Sequence, residues 1–399
     1  MTDLRQPAGS AAEVFAAFLK LGLSSFGGPI AHIGYFRHEF VERRKWLDEQ
    51  AYADLVALCQ FLPGPASSQV GFSLGLMRAG YPGALAAWTG FTLPSAIVLV
   101  LFAYGANTLS GPAGSGLVHG LKLVAVAIVA QAVWGMARTL CPDRARASIA
   151  VVAALLILFS ASSIAQIGAI LLGGLAGLVL CRNEQTNGGG HFAMPVSRRM
   201  GLVALAAFLL LLIGLPALAR LAPGSGLALF EAFFRSGALV FGGGHVVLPL
   251  LREAVVVPGW VSDDAFLTGY GAAQAVPGPL FTFAAYLGAV VNIEPHGVAG
   301  AIVGLLGIFL PGVLILLAAL PFWETFRKRS DAQAMMRGVN AAVVGILGAA
   351  LYHPVWTSTV VAPRDFGIAL VGFVLLTVWR APPLVVVVFS ALAGMATAL

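Results

Sequence analysis

In this chain of 399 residues only 10% are charged and 59% are hydrophobic, against roughly 25% charged and 45–50% apolar in a soluble domain. The mean hydropathy of +0.91 therefore places most of the chain in lipid, and no polar stretch is long enough for a soluble catalytic domain. The formal charge of +6 comes from Lys and Arg scattered between apolar runs, which is a topology signal rather than a nucleic-acid patch. Cys59, Cys141 and Cys181 stand alone, so no zinc site, disulfide framework or cofactor is expected. HExxH, GxxxxGK(S/T) and GxSxG motifs are all missing, which points away from an enzyme.

The polar residues 1–12 lead into a first apolar run that breaks at Phe26-Gly27-Gly28-Pro29 instead of ending in a cleavage site. The N-terminus is expected to be retained, on the cytoplasmic side. Six apolar segments make up the first half, at about 14–35, 51–76, 83–107, 116–137, 147–159 and 163–180. A polar linker, 182–199, then precedes one unpaired apolar run, 200–219, of about the 20 residues a transmembrane helix needs.

The second half repeats the first, at about 229–250, 265–291, 297–321, 338–352, 366–379 and 383–399. Phe26-Gly27-Gly28 returns as Phe241-Gly242-Gly243, and Gln60-x-x-Pro63-Gly64-Pro65 returns as Gln274-x-x-Pro277-Gly278-Pro279. Pro94 is answered by Pro311, and Leu175-Ala176-Gly177 by Leu392-Ala393-Gly394. The expected organisation is an all-α polytopic membrane protein with repeats at 1–181 and 223–399, joined by a linker and connecting helix at 182–222. Six segments plus one odd crossing deliver the second copy inverted, the arrangement of many secondary transporters.

Loop charges agree, because cytoplasmic loops collect Lys and Arg. Arg138, Arg144 and Arg146 mark the loop between segments four and five of the first copy, whereas Arg327, Lys328, Arg329 and Arg337 mark the loop between segments three and four of the second. The first two segments of each copy are a special case. Fully crossing, they would put Arg37, Arg43, Arg44 and Lys45 outside, against the rule. Residues 13–25 and 51–61 would span roughly 16 to 20 Å as helix, enough only for mid-bilayer. Two readings stand: re-entrant hairpins, or kinked full spans. Broken backbone at that depth must be buried in protein or line a wet path.

The breaks are the candidate substrate path. A helix that starts at a break points its N–H groups at it and attracts anions. Pro65 suits a first helical position and is followed by the side-chain donors Ser67, Ser68 and Gln69; the second copy offers Thr282 after Pro279. The candidate set from the breaks is Gly27, Gly28, Pro29, Gln60, Pro63, Gly64, Pro65, Ser67 and Ser68, with Gly242, Gly243, Gln274, Pro277, Gly278, Pro279 and Thr282. Lys20 and Arg235 each lie six residues before the Phe of the first break, and a cation within an apolar segment marks an ion path or snorkels to the interface. Lys122 poses the same choice, with Asn340 at its mirror position. His32 and His245 flank the first breaks as proton switches or as packing residues. Glu39 and Glu253, near Trp46 and Trp260, are gate ion pairs or solvated interfacial acids.

Ser25-Phe26-Gly27-Gly28-Pro29, Trp46, Gln60-Phe61-Leu62-Pro63-Gly64-Pro65, Gly120-Leu121-Lys122 and the weaker second copy together resemble the long-chain chromate ion transporter family in its two-repeat bacterial form. Gly244, in place of the first copy's Pro29, departs from the motif. The resemblance implies export of chromate through the bacterial cytoplasmic (inner) membrane and chromate resistance, and a homodimer is compatible with it. The residues by themselves reach a transporter of a small oxyanion, with sulfate and an anion channel left open.

Overall fold

The computed structural model describes residues 9–26, 28–106, 111–160, 163–182, 196–241, 244–323 and 329–398, and within them sixteen α-helices and no strand. Gly27, Gly242, Gly243, Arg327 and Lys328 lie outside the described residues.

The chain enters at one membrane face. Helix α1 (Ala11–Ser24) starts on Ser10, whose hydroxyl accepts the Glu13 N–H at 3.1 Å, and ends at Ser25. Its 14 residues cover only ~21 Å. Helix α2 (Gly28–Phe36) runs on as a π-helix, Arg37–Arg43, back to the starting face, where Arg44 lies 3.7 Å from Glu13.

Helix α3 (Glu49–Phe61) starts from an Asp48 cap at the same face, where Glu49 pairs with Arg37 at 2.7 Å, and descends to the Pro63-Gly64-Pro65 break. The first arm of α4 (Ala66–Ala106) climbs back until Arg78, which meets Glu13 at 3.2 Å. There Ala79 and Gly80 leave helical geometry, and residues 81–106 turn and cross the membrane. The first two segments are thus re-entrant hairpins, and the alternative of kinked full spans falls away. The ion pairs anchoring their outer ends at one face explain why Arg37, Arg43, Arg44 and Lys45 can share a side with the other basic loops.

Helices α5 (Gly111–Leu140), α6 (Arg144–Phe159) and α7 (Ser163–Leu180) complete the first copy. The odd crossing is α8 (Arg198–Leu221), with Leu202, Val203, Leu210 and Ile213 exposed along it as a lipid-facing helix requires.

The second copy starts from the opposite face with side-chain caps at the same positions: Ser225 before α9 (Gly226–Ala238), as Ser10 before α1, and Ser262 before α11 (Asp263–Ala275), where the first copy has Asp48. Helices α10 (Val247–Val255) and α12 (Phe283–Val290) complete its two hairpins. Their outer ends are joined by Arg252 to Asp263 at 2.9 Å and by the Asn292 N–H to the Trp260 carbonyl at 3.0 Å. Helices α13 (Gly297–Ala319), α14 (Ser330–Ala350), α15 (Pro363–Thr377) and α16 (Pro383–Ala398) follow.

The copies interlock through equivalent contacts. Gly120 of α5 lies on the backbone of α16 at Ser390, and Gly338 of α14 lies on α7 at Gly173 and Gly177. Hairpins of opposite origin therefore converge in the middle of the molecule, held in a frame each repeat builds partly around the other.

Candidate functional site

The hairpin tips meet there by exchanging backbone hydrogen bonds. Gly64 of the first copy donates its N–H to the carbonyl of Val240 in the second at 2.8 Å, and Gly278 of the second donates to Ser25 of the first at 2.9 Å. Gly64 and Gly278 are equivalent in the repeat, as are Ser25 and Val240, so the two bonds are related by a pseudo-two-fold axis. Both glycines have positive φ, 114° and 101°, a region that side chains resist. Each also packs on segment three of the other copy: a Cβ on Gly64 would lie 3.0 Å from Gly312 Cα, and one on Gly278 would lie 2.8 Å from Ser95 Oγ.

The axis passes between Pro29 and Gly244. These two are repeat equivalents, and a Cβ on Gly244 would sit 3.0 Å from Pro29 Cγ. One ring fits there, and two equivalent prolines would collide. The departure of Gly244 from the first-copy motif thus has a steric cause.

In the first copy the two breaks are tied together by His32. Its Nε2 lies 3.2 Å from the Ser25 carbonyl and its Nδ1 3.4 Å from Ser67 Oγ, with the ring buried edge-on to Phe91. Gln69 braces the second break, its Nε2 donating at 2.9 Å to both the Pro63 and the Gly312 carbonyls. Those two acceptors fix the amide orientation, since a flipped amide would set its oxygen against two carbonyl oxygens. Helix α4 begins directly after Pro65, and its first intrahelical N–H is that of Gln69, bonded to the Pro65 carbonyl. The amides of Ala66, Ser67 and Ser68 have no intrahelical acceptor, which makes this end attractive to an anion. In the same copy, the side-chain oxygens of Ser25, Ser68, Gln69 and Thr92 are buried without hydrogen-bond partners. Buried polar groups are rarely left so.

The other sequence candidates divide. Pro63, Pro65, Pro277 and Pro279 flank the tips, Gly28 opens α2 with φ of 75°, and Gln274 Nε2 is buried without a partner, whereas Gln60 is exposed. Thr282 Oγ1 is already engaged, donating to the Pro279 carbonyl at 2.7 Å. The Gly64 and Gly278 amides themselves are not free at the breaks: both are used between the repeats.

Arg235 pairs with Glu231 at 2.7 Å and shares a crevice with Gln166 and Glu253. Lys20 lies exposed on α1 with no ion pair among the described residues; its i−4 neighbour is Ala16, where the second copy has Glu231. Lys122 reaches the outer end of α11 and pairs with Asp264 at 2.6 Å, and Asn340 Oδ1 is buried and unpartnered in α14. His245 bonds the Tyr270 hydroxyl at 2.7 Å rather than a break. Glu39, buried, joins Arg44 at 2.6 Å and Arg43 at 3.1 Å beside Trp46 at the membrane face.

Sequence reasoning passed over Ser25, Thr92 and Glu231. The first two stand out when the copies are aligned position by position, and the third from its i,i+4 spacing to Arg235.

Comparison with known proteins gives the family. The profile described as "Chromate transporter" matches residues 12–178 and again 227–395, one match for each structural repeat. The chain belongs to the chromate transporter family. It is 30% identical to the "Chromate transport protein" of Pseudomonas aeruginosa over 99% of this chain and 94% of that protein. It is 29% identical to the "Probable chromate transport protein" of Synechococcus elongatus over 97% and 96% of the two chains. With the "Chromate transport protein" of Cupriavidus metallidurans the identity is 26% over 84% and 80%. No solved structure matches this family member.

Proposed function

We propose that this protein exports chromate from the cytoplasm by alternating access, conferring chromate resistance, and that the anion crosses between the hairpin tips. The observation that carries the reading is the reciprocal pair Gly64–Val240 and Gly278–Ser25. Hairpins entering from opposite faces close on each other at mid-depth, so separating either pair of tips opens the centre to one face only. Inverted repeats give such a device two mirror-related states at similar energy. Freed amides at the tips and the first turn of α4 then supply preorganised donors for an oxyanion in a low-dielectric setting.

The membrane is the bacterial inner membrane, with the face of Arg44, Arg78, Arg144, Arg182, Arg199 and Arg380 on the cytoplasmic side. The opposite face holds far fewer cations, among them Arg220, Arg252 and Arg364, which is the bias that orients membrane proteins. The N-terminus then lies inside. Impermeant thiol labelling of single cysteines, in a chain with Cys59, Cys141 and Cys181 replaced, should label position 292 from outside and position 143 only from inside.

The test of transport is radiolabelled chromate in inside-out vesicles. Energised vesicles should accumulate it against its gradient. Equilibration without accumulation would indicate a channel, and accumulation of sulfate but not chromate would reassign the substrate.

A further inference from the structure

We infer that the chain carries a single oxyanion site, built by the first repeat around the N-terminus of α4, and that the second repeat supplies the mirror frame without a second site. The inference rests on the transport reading above and narrows it. Position by position, the polar lining of the first copy is replaced by bulk in the second: Ser25 by Val240, Ser67 by Phe281, Gln69 by Phe283 and Thr92 by Phe309. All four replacements are buried, none more than 3% exposed. Where the first copy has buried polar atoms without partners, the second has aromatic and aliphatic side chains.

The helix ends differ in the same sense. In the second copy the break is followed by a three-residue 3-10 turn, Leu280–Thr282, and the Phe283 N–H at the start of α12 is shared between the Leu280 and Phe281 carbonyls. Its one hydroxyl, Thr282, is spent on Pro279. The first copy has no such turn, and α4 starts at once with three amides lacking intrahelical acceptors. Independently of that helix end, Ser25 and Ser68 are 0% and 7% exposed and their hydroxyls have no partner. His32 holds the Ser25 backbone one imidazole away from Ser67 in the first turn of α4. A hydroxyl with no acceptor in a buried site is a donor awaiting one, and an oxyanion consists of acceptors. Neutral donors also bind a dianion without a fixed countercharge, so the anion can leave again. Gln69, both of whose N–H bonds are used on carbonyls, positions the break rather than touching the anion.

Equilibrium dialysis of the purified, detergent-solubilised protein with radiolabelled chromate should give one bound anion per chain. In vesicle transport, Ser25→Ala and Ser68→Ala should each raise the apparent KM about tenfold or more, the effect of losing one hydrogen bond to a charged group. Two anions per chain, or wild-type KM in both serine variants at normal membrane abundance, would overturn the single site while leaving chromate transport standing. A wild-type protein that neither binds nor moves chromate would instead overturn the transport reading, and this inference with it.

Discussion

Between the breaks of the first repeat stand Ser25, His32, Ser67 and Gln69; at the same positions the second repeat has Val240, Val247, Phe281 and Phe283. The backbone course is shared, down to the positive-φ glycines at 64 and 278 and the caps at Ser10 and Ser225. In the first copy the interior is joined by side-chain hydrogen bonds and leaves polar atoms unpartnered, whereas in the second it is aromatic, with Phe283 packed edge-on against Phe266 and Tyr270 at centroid distances of 5.2 and 5.7 Å. Duplication fixes a frame, because each tip needs the other copy for its hydrogen bond. It does not fix chemistry, because side chains facing the centre are free to diverge once one copy supplies the donors.

The comparison breaks most sharply at what the copies share. Gly64→Leu and Gly278→Leu should both abolish chromate transport, since a side chain meets positive φ and the opposing segment at once. Equal membrane abundance on immunoblots, together with loss of vesicle uptake, would check this. Next comes the axis itself. Gly244→Pro should lose transport because two rings cannot share the space, and adding Pro29→Gly should restore part of it; a double variant as inactive as the single one would refute the steric account.

The cations sharpen the difference between copies. Lys20→Ala should weaken transport, with Lys20→Arg keeping some activity, the effect we propose for an intramembrane cation that has no ion pair among the described residues. Arg235→Ala instead strands Glu231, costing about 2 kcal/mol of stability, less than the 3–5 kcal/mol of a fully buried pair because Arg235 is still partly exposed. The double variant Glu231→Ala/Arg235→Ala should recover much of that in a thermal melt. Smallest of all, Asp264→Ala should cost about 1 kcal/mol in the same melt: Asp264 itself is 74% exposed, but the Lys122 it leaves behind is only 12% exposed.

Much of this frame was legible in the sequence. The duplicated Pro-Gly-Pro and the swap of basic loops pointed to inverted repeats, while the short helices before each break left re-entrant hairpins and kinked full spans both open until the ion pairs at their outer ends were seen. Gly80, which ends the first arm of α4, was readable only as a boundary between segments, because the helical hydrogen-bond pattern runs on around the kink. The exchange between Gly64 and Val240 was out of reach. It joins backbone atoms, and no side-chain pattern records which carbonyl an amide will find. The asymmetry of the site was within reach but hidden, since the motif residues that advertise the repeat are the ones the copies share, while the differing positions, Ser25 against Val240 and Gln69 against Phe283, lie beside them.

The most direct measurement is a structure in a lipid nanodisc with chromate bound, with chromium located by its anomalous scattering. The expected result is one tetrahedral anion at mid-membrane, within hydrogen-bonding distance of Ser67 or Ser68 at the start of α4. An anion bound elsewhere, in the Arg235 crevice or at the membrane face beside Trp260, with the four tips packed shut, would contradict the passage of the substrate between them.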